Sequence, residues 1–333
     1  MKQLLRPFDS ARRESGPGIW AAGVVVALLV LAGSPRAAAA QGWDTNALVN
    51  EAHNLSPIEL QRVRERAATG DSRSEALLGL VYEMGAAGVT ADSVQALSWF
   101  NKVAAKGIPW AEVWAGDFYY TGSTGVPKDL FKALELYRSA AQHGDPKAAF
   151  VVGRMYFFGE GVTLNMAEAA SWFRRALPAE PNLVGRMVAL ADTTCEQGLC
   201  LALRQILGAM TTETAEQFTG EWDDTAHEWE AVKELPNFAR CGFTSSNKTE
   251  QGDVQNYFCD SDVIAEPVAG ADAARNLAAE VEQALGAGWM RTGGTGDQAN
   301  VYFFTRDGFP RVRVSYNTSP GDAPQRVTLL IGP

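Results

Sequence analysis

The side chains best suited to chemistry are few: three histidines (His53, His143, His227) and four cysteines (Cys195, Cys200, Cys241, Cys259) in 333 residues. His227-Glu228 opens like the H-E-x-x-H helix of a zinc protease, but Ala231 stands where the second ligand is needed. His143 falls in a turn, where a solvated imidazole is expected, and His53 has no sequence neighbour to work with. Ser245-Ser-Asn-Lys248 and Ser315-Tyr-Asn317 match two elements of the penicillin-recognising serine enzymes. The third element, K-T-G, is missing, because Glu250 follows Lys248-Thr249. Gly294-Thr-Gly296-Asp-Gln-Ala299 has the letters of a dinucleotide fingerprint, yet it leads into a strand pattern. No helix N-terminus then awaits a pyrophosphate, and a hairpin loop is the better account. These sets complete no catalytic site, metal site or cofactor site. The chain reads as a non-enzyme; the alternative is a cell-envelope hydrolase or a peptidoglycan- or sugar-binding protein acting through its C-terminal region.

The cysteine spacings do not resemble the close ligand pairs of structural zinc, so disulfides are expected. Cys241 and Phe243 alternate, as do Tyr257 and Cys259, about the turn-rich stretch Ser245–Asp253. A hairpin centred on Glu250 sets Cys241 opposite Cys259 and Phe243 opposite Tyr257. Cys195 and Cys200 then pair around Gly198. Such bonds belong to an oxidising compartment, and the N-terminus agrees. Lys2, Arg6, Arg12 and Arg13 precede a short apolar run, Ile19 to Gly33, and Ala38-Ala39-Ala40 stands before Gln41. This is the pattern of a signal peptide over residues 1–40. Glu14-Ser15-Gly16 after Arg12-Arg13 departs from the apolar residues of a twin-arginine signal. The expected location is the periplasm or beyond, with an inner-membrane anchor through residues 19–33 as the alternative. Cleavage would remove five basic and two acidic residues and take the formal charge from −10 to −13. Such a chain is repelled by phosphate backbones, which excludes nucleic acid as a partner. Contact with a membrane is expected only if residues 19–33 are retained.

Self-similarity supplies the organisation. Gly79-Leu80-Val81-Tyr82, Gly116-Asp117-Phe118-Tyr119 and Gly153-Arg154-Met155-Tyr156 begin 37 residues apart. Gly85, Gly122 and Gly159 follow, then Gly88-Val89, Gly125-Val126 and Gly161-Val162, the last one residue early. Ala96, Ala133 and Ala169 precede the pairs Trp99-Phe100, Leu136-Tyr137 and Trp172-Phe173. The glycines break the chain between two helices, since positive φ costs them little. Asp92, Asp129 and Asn165 stand where a second helix begins and can cap its free amides. Gln95 and Glu168 add the spacing of a capping box. One hairpin cannot bury its apolar face, so the core arises from stacking.

The "G-x-x-Y-x-x-G-x-x-G-V" and "A-x-x-W-F" elements resemble the Sel-one-like repeat, an α-hairpin relative of the tetratricopeptide repeat. The likeness covers residues 58–181, about a third of the chain, and weakens where Leu177-Pro178-Ala179-Glu180-Pro181 replaces the regular ending. It implies an adaptor or scaffold that holds a protein partner along its first helices. The expected architecture is an all-α hairpin-repeat solenoid followed by a small α+β domain with an antiparallel sheet. Its divisions are repeats over 56–181, a degenerate capping hairpin over 182–210, an acidic linker over 211–237, and the α+β domain over 238–333. In the last, a helix over Asp272–Leu285 and strands around Val301–Phe303, Val312–Tyr316 and Val327–Ile331 are expected.

Comparing copies at equal register isolates aromatics that the repeat does not demand. Trp110 stands where the other copies have Arg73 and Lys147, and Tyr120 and Phe157 stand where the first has Glu83. Phe158 replaces Met84 and Thr121. A position that elsewhere carries charge faces water, so Trp110, Tyr120, Phe157 and Phe158 are the candidate partner-binding anchors.

Overall fold

A computed structural model describes residues 44–192, 198–212, 219–223, 228–231, 235–236, 238–245, 254–261, 267–294, 300–316 and 326–332. Two compact units divide at residues 191 and 192. The proposed signal segment lies outside the described residues, among which no helix is long and apolar enough to cross a membrane.

The first unit is a run of helices: α1 (Thr45–Asn54), α2 (Pro57–Ala68), α3 (Ser72–Met84), α4 (Ser93–Ala104), α5 (Pro109–Thr121), α6 (Leu130–Gln142), α7 (Pro146–Phe158), α8 (Met166–Ala176) and α9 (Pro181–Ala191). The pairs α3–α4, α5–α6 and α7–α8 are the three repeat hairpins, and each second helix packs on the first helix of the next repeat. Capping fixes the boundaries. Asp92 accepts from the amides of Val94 and Gln95, Asp129 from that of Lys132, and Asn165 from that of Glu168. The reciprocal capping box forms in α2, where Ser56 and Glu59 cap each other's backbone. The leading unit is more complete than its sequence indicates, because α1 stands before α2 and packs on α3.

The first glycine of each motif copy has a role its sequence does not reveal. Gly79, Gly116 and Gly153 lie inside first helices, away from the turns. A Cβ there would stand 2.5 Å from the Phe100 ring, 2.8 Å from that of Tyr137 and 2.6 Å from that of Phe173. The missing methyl admits the aromatic of the second helix, and all three rings are buried. The turn glycines Gly85 and Gly159 end their helices with φ of 69° and 74°, as expected of left-handed caps.

The second unit holds α10 (Gly198–Thr211), β1 (Thr219–Asp223), β2 (Glu228–Ala231), β3 (Arg240–Ser245), β4 (Val254–Asp260), α11 (Pro267–Leu285), β5 (Met290–Gly293), β6 (Val301–Thr305), β7 (Arg311–Tyr316) and β8 (Val327–Gly332). The strands form one antiparallel sheet in the order β1-β2-β3-β4-β8-β7-β6-β5. One row of the register, Trp229, Phe243, Tyr257, Ile331, Val312 and Phe304, is buried from β2 to β6. Helix α11 packs on β6, β7 and β8 through an apolar face that includes Ala274, Ala278 and Val281.

Three expectations change here. The capping hairpin over 182–210 is divided: α9 packs on α8 in the first unit, whereas α10 packs on α11 in the second. Helix α10 buries a continuous run from Ala202 to Ala209, which makes it a core helix and not a polar-faced cap. Arg204 is buried with it and donates to the Leu285 carbonyl at 3.1 Å. The stretch 211–237 is not simply a linker, since β1 and β2 are outer strands of the sheet, and Trp229 and Ala231 bury one side of β2. The acidic letters of this stretch mask that alternation.

Cys241 and Cys259 are directly opposed in the β3–β4 register and disulfide-bonded, with Phe243 opposite Tyr257 as the hairpin reading requires. The Cys195–Cys200 pairing falls outside the described residues at Cys195.

Candidate functional site

The four candidate aromatics project from α5 and α7. Trp110 follows Pro109 in the first turn of α5 and is half-buried, its ring 5.7 Å edge-on from Phe100 and 5.6 Å from Trp114. Phe158 ends α7, also half-buried, and meets Phe157 edge-on at 5.0 Å.

Tyr120 and Phe157 are interior residues. Phe157 is wholly buried, 6.1 Å from the Phe173 ring. Tyr120 is buried, and its hydroxyl donates to Glu160 at 2.6 Å while accepting from Arg154 at 3.1 Å. Burial pushes that hydroxyl's pKa above its ordinary value, so it stays a donor. Neither offers an exposed anchor. The register comparison fails at Glu83, because a charge in one copy does not mark a position facing water. Both Glu83 carboxyl oxygens are buried with no hydrogen-bond partner. Burial first, and the nearby Asp117 second, push its pKa up to about 8. Lys147 likewise has its pKa lowered by burial.

Several polar residues that the sequence does not mark lie within the repeats. Asp117 follows the motif glycine where the first copy has Leu80. It accepts from the Tyr137 hydroxyl at 2.5 Å, and burial pushes its pKa up to about 7. Arg154 takes the same position in the third copy, is buried, and lies 3.4 Å from Glu160. At another position, the buried carboxylates Glu75 and Glu112 meet Lys106 at 2.5 Å and His143 at 2.9 Å, each tying the first helix of a hairpin to the turn that ends its second. The signal was present: both acids and both bases recur 37 residues apart. His143 is therefore a partner of Glu112 within its own hairpin as well as a partly exposed side chain.

The Ser139, Glu112 and His143 cluster is no nucleophilic relay. The Ser139 hydroxyl donates to Glu112 Oε1 at 2.6 Å, and His143 Nδ1 lies against Oε2. The imidazole is thus not the base that takes the serine proton. Other sequence matches fare similarly. Glu228 begins a strand and not a zinc-protease helix, while His227 lies outside the described residues. Gly294 follows β5, which pairs antiparallel with β6, and residues 295–299 lie outside the described residues. Ser245 ends β3 and Ser315 lies in β7, with Lys248 and Asn317 outside the described residues. Among the described residues, no group of three or more His, Cys, Asp or Glu could hold a metal.

Comparison with known proteins agrees with the hairpin geometry. The Sel1 repeat model matches residues 72–108, 111–145 and 146–177. A Sel1 repeat protein from Oxalobacter formigenes is 27% identical, with 40% of this chain and 54% of that chain covered and a TM-score of 0.36. A protective antigen of uropathogenic Escherichia coli that displays an SLR fold is 30% identical, with 47% of this chain and 33% of that chain covered and a TM-score of 0.37. The chain thus spans about half the length of one and a third of the other. No curated protein matches. Three matches on three stacked hairpins show that residues 72–177 are Sel1 repeats.

Proposed function

We propose that this protein is an exported adaptor or scaffold whose solenoid holds a protein partner. Sel1 repeat solenoids generally mediate protein–protein interaction, and the family is generally a non-catalytic scaffold. The observation that carries the reading is the stack of three in-register hairpins, which presents equivalent positions in sequence along one surface. Within it, Trp110 and Phe158 remain partly exposed and are the anchors retained from the four aromatics. The Cys241–Cys259 bond supports export, because thiols oxidise outside the cytosol.

A photo-crosslinking residue at position 110 or 158 of the full chain, used in intact cells, tests this reading. Adducts of one defined protein mass are expected at both positions. An absence of protein adducts from the solenoid would remove the scaffold reading. Export is tested separately by the mass of the native protein, which is expected to begin at Gln41; a full-length, membrane-retained chain would favour the anchored alternative.

A further inference from the structure

Four large apolar side chains are described as strongly exposed: Ile58 at 70%, Val94 at 50%, Phe131 at 64% and Met290 at 65%. Single exposed apolar residues are ordinary on a protein surface. Three of these four, however, occupy one position of the repeat. Ile58, Val94 and Phe131 are each the second residue of a second helix, two after the caps Ser56, Asp92 and Asp129. Stacking of hairpins sets equivalent positions in a row. The fold does not demand bulk there, since the corresponding residue of α8 is the exposed Ala167.

The charge around this row has a sign. Helix α2 carries three arginines against two glutamates, and α4 one lysine and no acid. Helix α6 carries one lysine and one arginine against one glutamate, and α8 two arginines against one glutamate. Each second helix is therefore net positive, in a chain of formal charge −10, and all of these charges are exposed. The acids nearest the row are already engaged: Asp92 and Asp129 accept helix amides, and Glu59 accepts from the Ser56 amide at 2.8 Å. Lys128 and Lys132 flank Phe131, and Arg62 lies one turn beyond Ile58.

We propose that Ile58, Val94 and Phe131 form a docking ridge for an acidic segment of a protein partner that presents apolar side chains in series. The proposal rests on the scaffold reading but uses different residues from Trp110 and Phe158. The apolar row supplies contact area, and the basic second helices select an acidic partner over a basic one.

The probe is a fluorescent 20-residue helical peptide with leucines on one face and glutamates on the other, titrated against the full chain. It is expected to bind, to weaken as salt is added, and to lose at least tenfold in affinity with the triple variant I58S/V94S/F131S. The variant R62E/K132E leaves the apolar row intact and is expected to weaken binding as well. Failure of the peptide to bind would overturn the ridge, as would equal binding of a peptide with lysine in place of glutamate, or unchanged affinity in the triple variant. Ridge-dependent binding to phosphatidylglycerol vesicles without peptide binding would assign the surface to lipid and overturn it too. Protein crosslinks from position 110 with none from position 131 would remove the ridge and leave the scaffold reading standing.

Discussion

Glu83 hides a titratable carboxyl between the first two repeats without giving it a donor, and the cost depends on pH. Its pKa of about 8 exceeds the ordinary value of 4.5, so the folded chain keeps a proton that the unfolded chain releases. The stability this provides is complete below about pH 4.5 and is lost as pH rises through about 8. Asp117, pushed to about 7, acts in the same direction, while the Tyr137 hydrogen bond opposes its shift. Thermal melts from pH 5 to 8.5 are expected to show a falling midpoint, worth roughly 2–3 kcal/mol after allowance for partial exposure. Glu83→Gln keeps the shape without the charge and is expected to flatten that slope. A profile as steep as that of the parent would assign the effect to Asp117. The aromatics make a second contrast at this scale. Phe157→Ala empties a filled interior site and is expected to cost about 3–5 kcal/mol. Trp110→Ala, at a half-exposed position, is expected to cost less in urea denaturation.

At the scale of elements, each hairpin is locked by a glycine on one helix and an aromatic on the other. Gly153→Ala would drive a methyl into the Phe173 ring, which lies 2.6 Å from the position of that atom. Overpacking of this kind costs about 1–3 kcal/mol. Phe173→Leu alone is expected to destabilise as well, because a buried ring is lost. In the double variant the smaller leucine makes room for the methyl, so the two losses are expected to sum to more than the measured one. A double-mutant cycle in urea checks this. Strict additivity would show that Gly153 is needed for a reason other than the ring. The sheet unit has its own lock in the Cys241–Cys259 bond, which closes a loop between residues 18 apart in sequence. Its reduction is expected to cost roughly 3 kcal/mol in the chain-entropy picture.

At the scale of the molecule, the division into two compact units makes that last prediction specific. Calorimetry with and without reductant is expected to lower the transition of the sheet unit and leave that of the repeats in place. A single transition that moves as a whole would mean that the two units unfold together. Charge is likewise distributed unevenly: the chain is acidic, yet its second helices are basic. Net charge alone therefore misdescribes what the solenoid shows to a partner.

What the sequence determined by itself is what local pattern and periodicity can carry. The 37-residue recurrence, the cap residues and the turn glycines place the hairpins, since each acts within a few residues of backbone. The alternation about Glu250 placed Cys241 opposite Cys259, because register in a hairpin follows from its turn. Burial was decided by the tertiary structure. Glu83 reads as a surface charge and is interior, while Tyr120 and Phe157 read as spare aromatics and fill the core. Helix α10 joins the sheet unit although its letters continue the helical pattern, because its partner α11 stands more than fifty residues later. Strand β1 pairs with β2 and β2 with β3, and Trp229 of β2 begins a buried row that runs on to Ile331 and Val312. In each case the deciding contact comes from a residue distant in sequence, so a reading confined to short windows cannot register it.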